Sequence, residues 1–127
     1  ILREYMANLR SSGQPGTGDV FLKWVLTNYR NPDRCEQVPV TPKIGGFTDF
    51  EEFPSVPGLA DFHGDDRKFV AVSMAHPARP PILQAVDAEW WELREQFCRA
   101  GVQVEFLCPN DMATPRQRGT RHRSGKK

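Results

Sequence analysis

Three carboxylates in this chain are spaced so that they could share a cation. Asp66 opens the run Asp66-Arg-Lys-Phe-Val-Ala-Val-Ser73, whose pattern predicts an apolar helix over 66–75. Asp87 closes Ile82-Leu-Gln-Ala-Val86, which is read as a short aliphatic strand. Strand and helix ends of this kind can lie at one edge of an α/β domain. Two acids held together there repel at neutral pH and persist mainly when a cation or a proton sits between them. Glu4 is the third, on an amphipathic helix over 1–11 whose apolar residues are Ile1, Leu2, Tyr5, Met6 and Leu9.

Each acid also has a plainer reading. Asp87 can cap the helix that follows it, with Glu89 and Glu92 adding favourable charge near its N-terminus. Asp66, or Asp65 beside it, can cap the helix it opens. Val70 and Ser73 lie one and two turns on from Asp66, so that acid shares their stripe and faces inward more than outward. Glu4 can be a surface salt-bridging residue. Other motifs are less informative. Gly16-Thr17-Gly18 has neither the preceding strand nor the following Gly-Lys-Ser/Thr of a phosphate loop. His63 and His76 read as loop histidines, and neither a Gly-x-Ser-x-Gly elbow nor a Cys/His pairing occurs.

The elements that must position the acids follow from periodicity and turn residues. A second helix spans 19–29, with Asp19 as its N-cap and Val20, Phe21, Trp24, Val25 and Tyr29 on one side. Val38 and Val40 alternate, so 35–40 is expected to be a short strand with Pro39 at its edge or end. The Pro-, Gly-, Asp- and Phe-rich stretch 41–64 is expected to be a loop with at most one helical turn near Asp49–Phe53. After the helix over 66–75 and the strand over 82–86 comes a helix over 88–100, stopped by Gly101 as a C′ residue. A last strand over 102–107 is closed by Pro109, and Gln103 and Glu105 alternate with its apolar residues as on an edge with one wet face. Trp90 and Trp91 point to different sides of their helix, one to the core and one over the sheet edge or an interface. Alternation of helix and strand over 66–107 argues βαβ units and a parallel sheet.

At 127 residues the chain fits one domain. No apolar run approaches the roughly 20 residues of a membrane span, and no signal peptide is visible. Cys35, Cys98 and Cys108 lack Cys-x-x-Cys spacing and fit reduced thiols in a cytoplasmic protein. The net charge of +1 is uneven. Arg116, Arg118, Arg121, Arg123, Lys126 and Lys127 give residues 116–127 a charge of +6, which leaves +1 − 6 = −5 for the rest. Residues 114–127 therefore read as a disordered basic tail, either solubilising or a sequence-blind grip on nucleic-acid phosphates.

The run from Asp66 to Ser73, then Ile-Leu-Gln-Ala-Val-Asp87-Ala-Glu-Trp, then Gly101-Val-Gln-Val-Glu-Phe-Leu-Cys-Pro109, resembles the C-terminal half of PIN-domain proteins. The opening Ile-Leu-Arg-Glu4-Tyr resembles the helix of that family that carries its second acid. The resemblance covers most of 1–109, so residues 1–113 are taken as the PIN-like domain. It implies a three-layer α/β/α fold and Mg²⁺- or Mn²⁺-dependent hydrolysis of RNA phosphodiester bonds, possible in a toxin-type protein with a cognate antitoxin-like partner or a homodimer. It also implies roles: Asp66 as the strongest metal ligand, Asp87 as a direct or water-mediated one, and Glu4 as the residue that orients the hydrated shell or nucleophile. Two departures stand against full activity. The family's first Asp ends a strand well upstream of the Glu helix, whereas only three residues precede Glu4, so an N-terminally incomplete or impaired nuclease is expected. Gln84-Ala85-Val86 also lacks the Ser or Thr frequent before the fourth acid. The alternative is a catalytically degenerate PIN-like module that binds RNA or a protein.

Overall fold

A computed structural model of the chain describes residues 1–9, 16–46 and 48–113. The architecture is mixed α/β and mostly helical, with a two-stranded parallel sheet. The helices α1 (Leu2–Asn8) and α2 (Thr17–Asn28) come first. After a long irregular segment follow α3 (Arg67–Ala75), β1 (Ile82–Gln84), α4 (Ala88–Glu92), α5 (Arg94–Arg99), β2 (Val104–Phe106) and α6 (Pro109–Ala113).

Local signals set several of these boundaries. α2 starts two residues before the expected cap, on Gly16, and the Asp19 carboxylate reaches back to accept from the Gly16 N–H at 2.9 Å. Asp19 is thus a first-turn acid that closes the helix start from within. Gly101 takes φ +81° after α5. There the Val102 N–H reaches the Phe97 carbonyl and the Gly101 N–H the Cys98 carbonyl, which is the Schellman ending a C′ glycine permits. The strands pair in parallel with Ile82 opposite Val104, Leu83 opposite Glu105 and Gln84 opposite Phe106. Leu83 and Glu105 face solvent while Ile82, Val104 and Phe106 pack on the core.

Two expectations need correction. Residues 35–40 form no strand: the Cys35 N–H turns back to the Asn31 carbonyl, and the Gln37 side-chain amide takes the Tyr29 carbonyl, so the segment is tied to the end of α2 instead of to a ladder. The loop over 41–64 keeps the one turn allowed near Asp49–Phe53, where the Phe53 N–H reaches the Phe50 carbonyl at 3.2 Å, and a small hairpin leads into it. Pro42 bridges Phe50, and both oxygens of Glu52 lie 2.9 Å from the Thr41 N–H. The single helix over 88–100 is two helices. Leu93 at φ −93°, ψ 7° interrupts it, and the Arg94 guanidinium, 4.3 Å from the Trp91 ring centre, takes the Trp91 carbonyl.

The core is an aromatic–aliphatic cluster of Phe53, Leu59, Phe62, Val70, Trp90, Phe97 and Val102. Trp90 stacks on Phe97 with centroids 5.0 Å apart, and Phe62 meets both rings edge-on. Trp91, on the other side of the helix, packs edge-on against Phe106 and covers β2. Three of the seven core residues come from the segment read as loop. Two 3₁₀ turns, Pro57–Leu59 and Gly64–Asp66, fold it inward, and Arg67 holds it there. The Arg67 guanidinium donates to the carbonyls of Phe62 (3.0 Å) and Ala60 (2.7 Å) and to Asp49 Oδ1 (3.2 Å), and lies over the Phe53 ring. Buried loop backbone needs such partners, and one forked side chain supplies most of them.

Candidate acidic site

Asp66 stands at the joint between the second 3₁₀ turn and α3. Its side chain makes no capping bond to the helix it opens. One oxygen, Oδ2, instead accepts from the indole Nε1–H of Trp90 at 3.4 Å. Val70 and Ser73, on the same stripe, are both buried, and Asp66 itself is half-buried. Burial is the largest influence on its carboxyl and raises it above the ordinary value of 3.8. The Trp90 hydrogen bond opposes that rise, the negative charges of Asp87 and Glu4 add to it, and the His63 ring offsets part.

Asp87 ends the β1 side of the same neighbourhood. Its Oδ1 accepts from the backbone N–H groups of Glu89 (2.9 Å) and Trp90 (3.5 Å), so it is the N-cap of α4. Capping occupies one oxygen and leaves Oδ2 without a protein donor among the described residues. α4 is fastened to the segment before Asp66 by a further bond, from the His63 N–H to Glu89 Oε1 at 2.8 Å. The two acids therefore sit on elements joined by Trp90 and by Glu89.

Glu4 belongs to the neighbourhood by charge more than by contact. Its field reaches Asp66, but its own Oε2 is ion-paired with the Lys68 ammonium. That pair ties α1 to the first turn of α3. The expected loop histidines both close turns: His63 Nδ1 accepts from the Asp65 N–H, and His76 Nδ1 from the Ala78 N–H. His76 Nε2 lies 2.7 Å from Glu36 Oε2, so with Nδ1 accepting, Nε2 carries the proton it donates. Arg116, Arg118, Arg121 and Arg123 lie outside the described residues.

Carboxylate oxygens are the right donors for Mg²⁺ or Mn²⁺, and a raised Asp66 beside two other acids is the electrostatic state a cation relieves. In number the donors are few. Among the described residues no three His, Cys, Asp or Glu side chains stand close enough to hold an ion between them. Asp66 and Asp87 by themselves make no closed protein cage, and an ion there would take most of its shell from water and phosphate. Two open clefts lie elsewhere. One of about 620 Å³ runs beside β2 past Arg94 and Cys98, and one of about 630 Å³ separates α1 and α2 from Val38, Val40 and Val72. Neither is lined by Asp66 or Asp87.

Sequence reasoning pointed to the acids and missed what holds them. Trp90 carries a usable signal, since it is the N3 residue of a helix capped by Asp87, but its indole bond to Asp66 is non-local. Lys68 offered none. No protein-family model matches the chain, and comparison with curated proteins and with solved structures gave no match. Among the described residues no helix is long and apolar enough to cross a membrane.

Proposed function

We propose that the chain is a PIN-like domain of three-layer α/β/α type whose acidic edge acts on RNA phosphodiester bonds with Mg²⁺ or Mn²⁺, in an impaired form. The observation that carries this reading is that Trp90 touches both acids, its indole N–H reaching Asp66 Oδ2 at 3.4 Å and its backbone N–H reaching Asp87 Oδ1 at 3.5 Å, and the Asp66 carboxyl, raised mainly by burial, supports it. The charges of Asp87, at the end of β1, and of Glu4, on α1, both reach Asp66 at the head of α3, which supports reading the three acids together. Asp66 and Asp87 would hold the ion, each with one oxygen that no donor among the described residues reaches. A bound divalent ion supplies a water of lowered pKa and offsets charge that builds on the phosphate. The protein's own part is to fix the two carboxylates, to keep Asp66 poorly hydrated, and to neutralise Glu4 through Lys68 so that its repulsion is limited. A cognate antitoxin-like protein or a second copy remains the expected partner, and Phe21 and Trp24, 46% and 44% exposed on α2, are side chains such a partner would cover.

The test is Mn²⁺-dependent cleavage of a labelled single-stranded RNA by the full chain and by Asp66→Asn. Cleavage by the parent and loss of at least a hundredfold in the variant support the reading. Equal cleavage by both removes Asp66 from the site.

The second reading, a degenerate module that binds RNA or a protein without hydrolysis, is favoured by how the acids are employed. Asp87 caps α4 and Glu4 is neutralised by Lys68. Under it, RNA binds without metal-dependent turnover, and a steep salt dependence disappears when residues 116–127 are removed.

A further inference from the structure

The two outer edges of the sheet are not equally open. The Ile82 N–H donates to the Gln103 carbonyl and the Leu107 N–H to the Gln84 carbonyl, so the odd-numbered residues of β2 serve the ladder with β1. The even-numbered ones turn their backbone to the other side. There the N–H and C=O of Val104 and the N–H of Phe106 take no backbone partner among the described residues. β1 turns outward only at Leu83, and Pro80 and Pro81, which have no N–H to offer a further strand, stand before it. Neither proline nor lysine blunts the edge of β2 between Gly101 and Cys108. That edge is also accessible. The cleft of about 620 Å³ is lined by Val102 and Val104 from one face of the strand segment, by Gln103 and Glu105 from the other, and by no residue of β1, so it runs along the outer side.

We infer that β2 is a self-pairing edge, through which two copies of the chain join antiparallel about a two-fold axis at Val104 into one continuous four-stranded sheet. An open backbone edge accepts any extended segment, and the side chains decide which. This edge is complementary to itself in one register. With Val104 opposite its own copy, the two valines exchange both of their backbone bonds, and each Phe106 N–H falls opposite a Val102 carbonyl. Gln103 then lies across from Glu105 on the wet face, an amide beside a carboxylate, and Val102 lies across from Phe106 on the apolar face. A register centred on Glu105 sets two carboxylates against each other, and one centred on Phe106 sets Glu105 against Leu107. The contact is one strand wide, so the dimer is weak and concentration-dependent. It is independent of the acidic-site reading, and it uses a different element from the exposed Phe21 and Trp24 of α2.

The test is sedimentation equilibrium of the full chain at concentrations up to about 1 mM, where so small an interface associates. Gln103 and Glu105 are exposed, so a change of charge at either leaves the fold in place, as the thermal midpoint of each variant checks. Gln103→Lys sets an ammonium across from each Glu105 and is expected to tighten the dimer about tenfold, whereas Gln103→Glu weakens it by about as much. Adding Glu105→Lys to Gln103→Lys should abolish the gain. In amide exchange, Val104 and Phe106 should slow as concentration rises, while Leu107, already bonded to Gln84 within one copy, stays unchanged. A chain that is monomeric throughout overturns the inference. So does a dimer that responds alike to both signs of charge at position 103, or one whose Val104 and Phe106 amides ignore concentration. If such a dimer dissociates with Phe21→Ser, the second copy sits on α2 instead.

Discussion

Replacing Arg67 by methionine tests whether one guanidinium holds the irregular segment in the core. The side chain is 14% exposed and makes two good bonds to backbone carbonyls, at 2.7 Å to Ala60 and 3.0 Å to Phe62, with a weaker approach to Leu59 at 3.5 Å. A hydrogen bond from a charged donor contributes about 1.5–3 kcal/mol, and the lower end applies because water can reach the Ala60 carbonyl once the arginine is gone. The Asp49 pair and the contact over the Phe53 ring add about 0.5–1 kcal/mol, kept small because Asp49 is a third exposed. Arg67→Met should therefore destabilise the fold by about 3–4 kcal/mol, a large share of a small domain's stability. Arg67→Lys keeps the charge but cannot fork between two carbonyls, and should lose about half as much. Urea unfolding followed by tryptophan fluorescence reads both, provided the slope with denaturant is unchanged. A loss under about 1 kcal/mol for methionine would refute the clamp, and so would lysine costing as much as methionine.

Asp87→Asn should keep the α4 cap and leave the unfolding midpoint near that of the parent, whereas Asp87→Ala should cost about 1 kcal/mol; if both remove Mn²⁺-dependent cleavage, capping and ligand roles are separated. Asp66 is raised in the folded chain above its ordinary 3.8, so its ionised form costs stability above the raised value, and that cost shrinks as pH falls through it and vanishes below 3.8. Asp66→Asn should accordingly be more stable than the parent at pH 7, with the difference narrowing toward pH ~4, as paired urea melts would show. Gly101→Ala forces a side chain into φ +81° and should cost about 1–2 kcal/mol in the same assay.

Where structure follows from neighbours in sequence, the chain is readable. The Gly101 stop, the alternation that turns Glu105 outward and the Asp87 cap each depend on a few consecutive residues, and each lies where those residues put it. The segment 35–40 misled because Val38 and Val40 alternate like a strand, yet alternation forms nothing without a partner edge. The segment before α3 misled in the opposite sense. Its composition says surface loop, and it buries Phe53, Leu59 and Phe62 because 3₁₀ turns and the Arg67 fork satisfy the backbone that burial strips of water. The acids could be picked out by type, whereas the Trp90–Asp66 bond and the Lys68–Glu4 pair join distant parts of the chain and carry no periodic trace.

The parallel pairing of β1 with β2 has a consequence for how the chain acquires its structure. Ile82 can meet Val104 only after the intervening helices and the Gly101 turn have brought the chain back on itself, because a parallel pair cannot close through a tight hairpin. Closing so long a segment costs entropy before any ladder bond repays it. The contacts nearer in sequence, Trp90 on Phe97 and Phe97 with the turn at Val102, form across a much shorter span and should lead. By this measure the sheet should lock after the Trp90–Phe97 contact, and the end of β1 that carries Asp87 should take its final position with it.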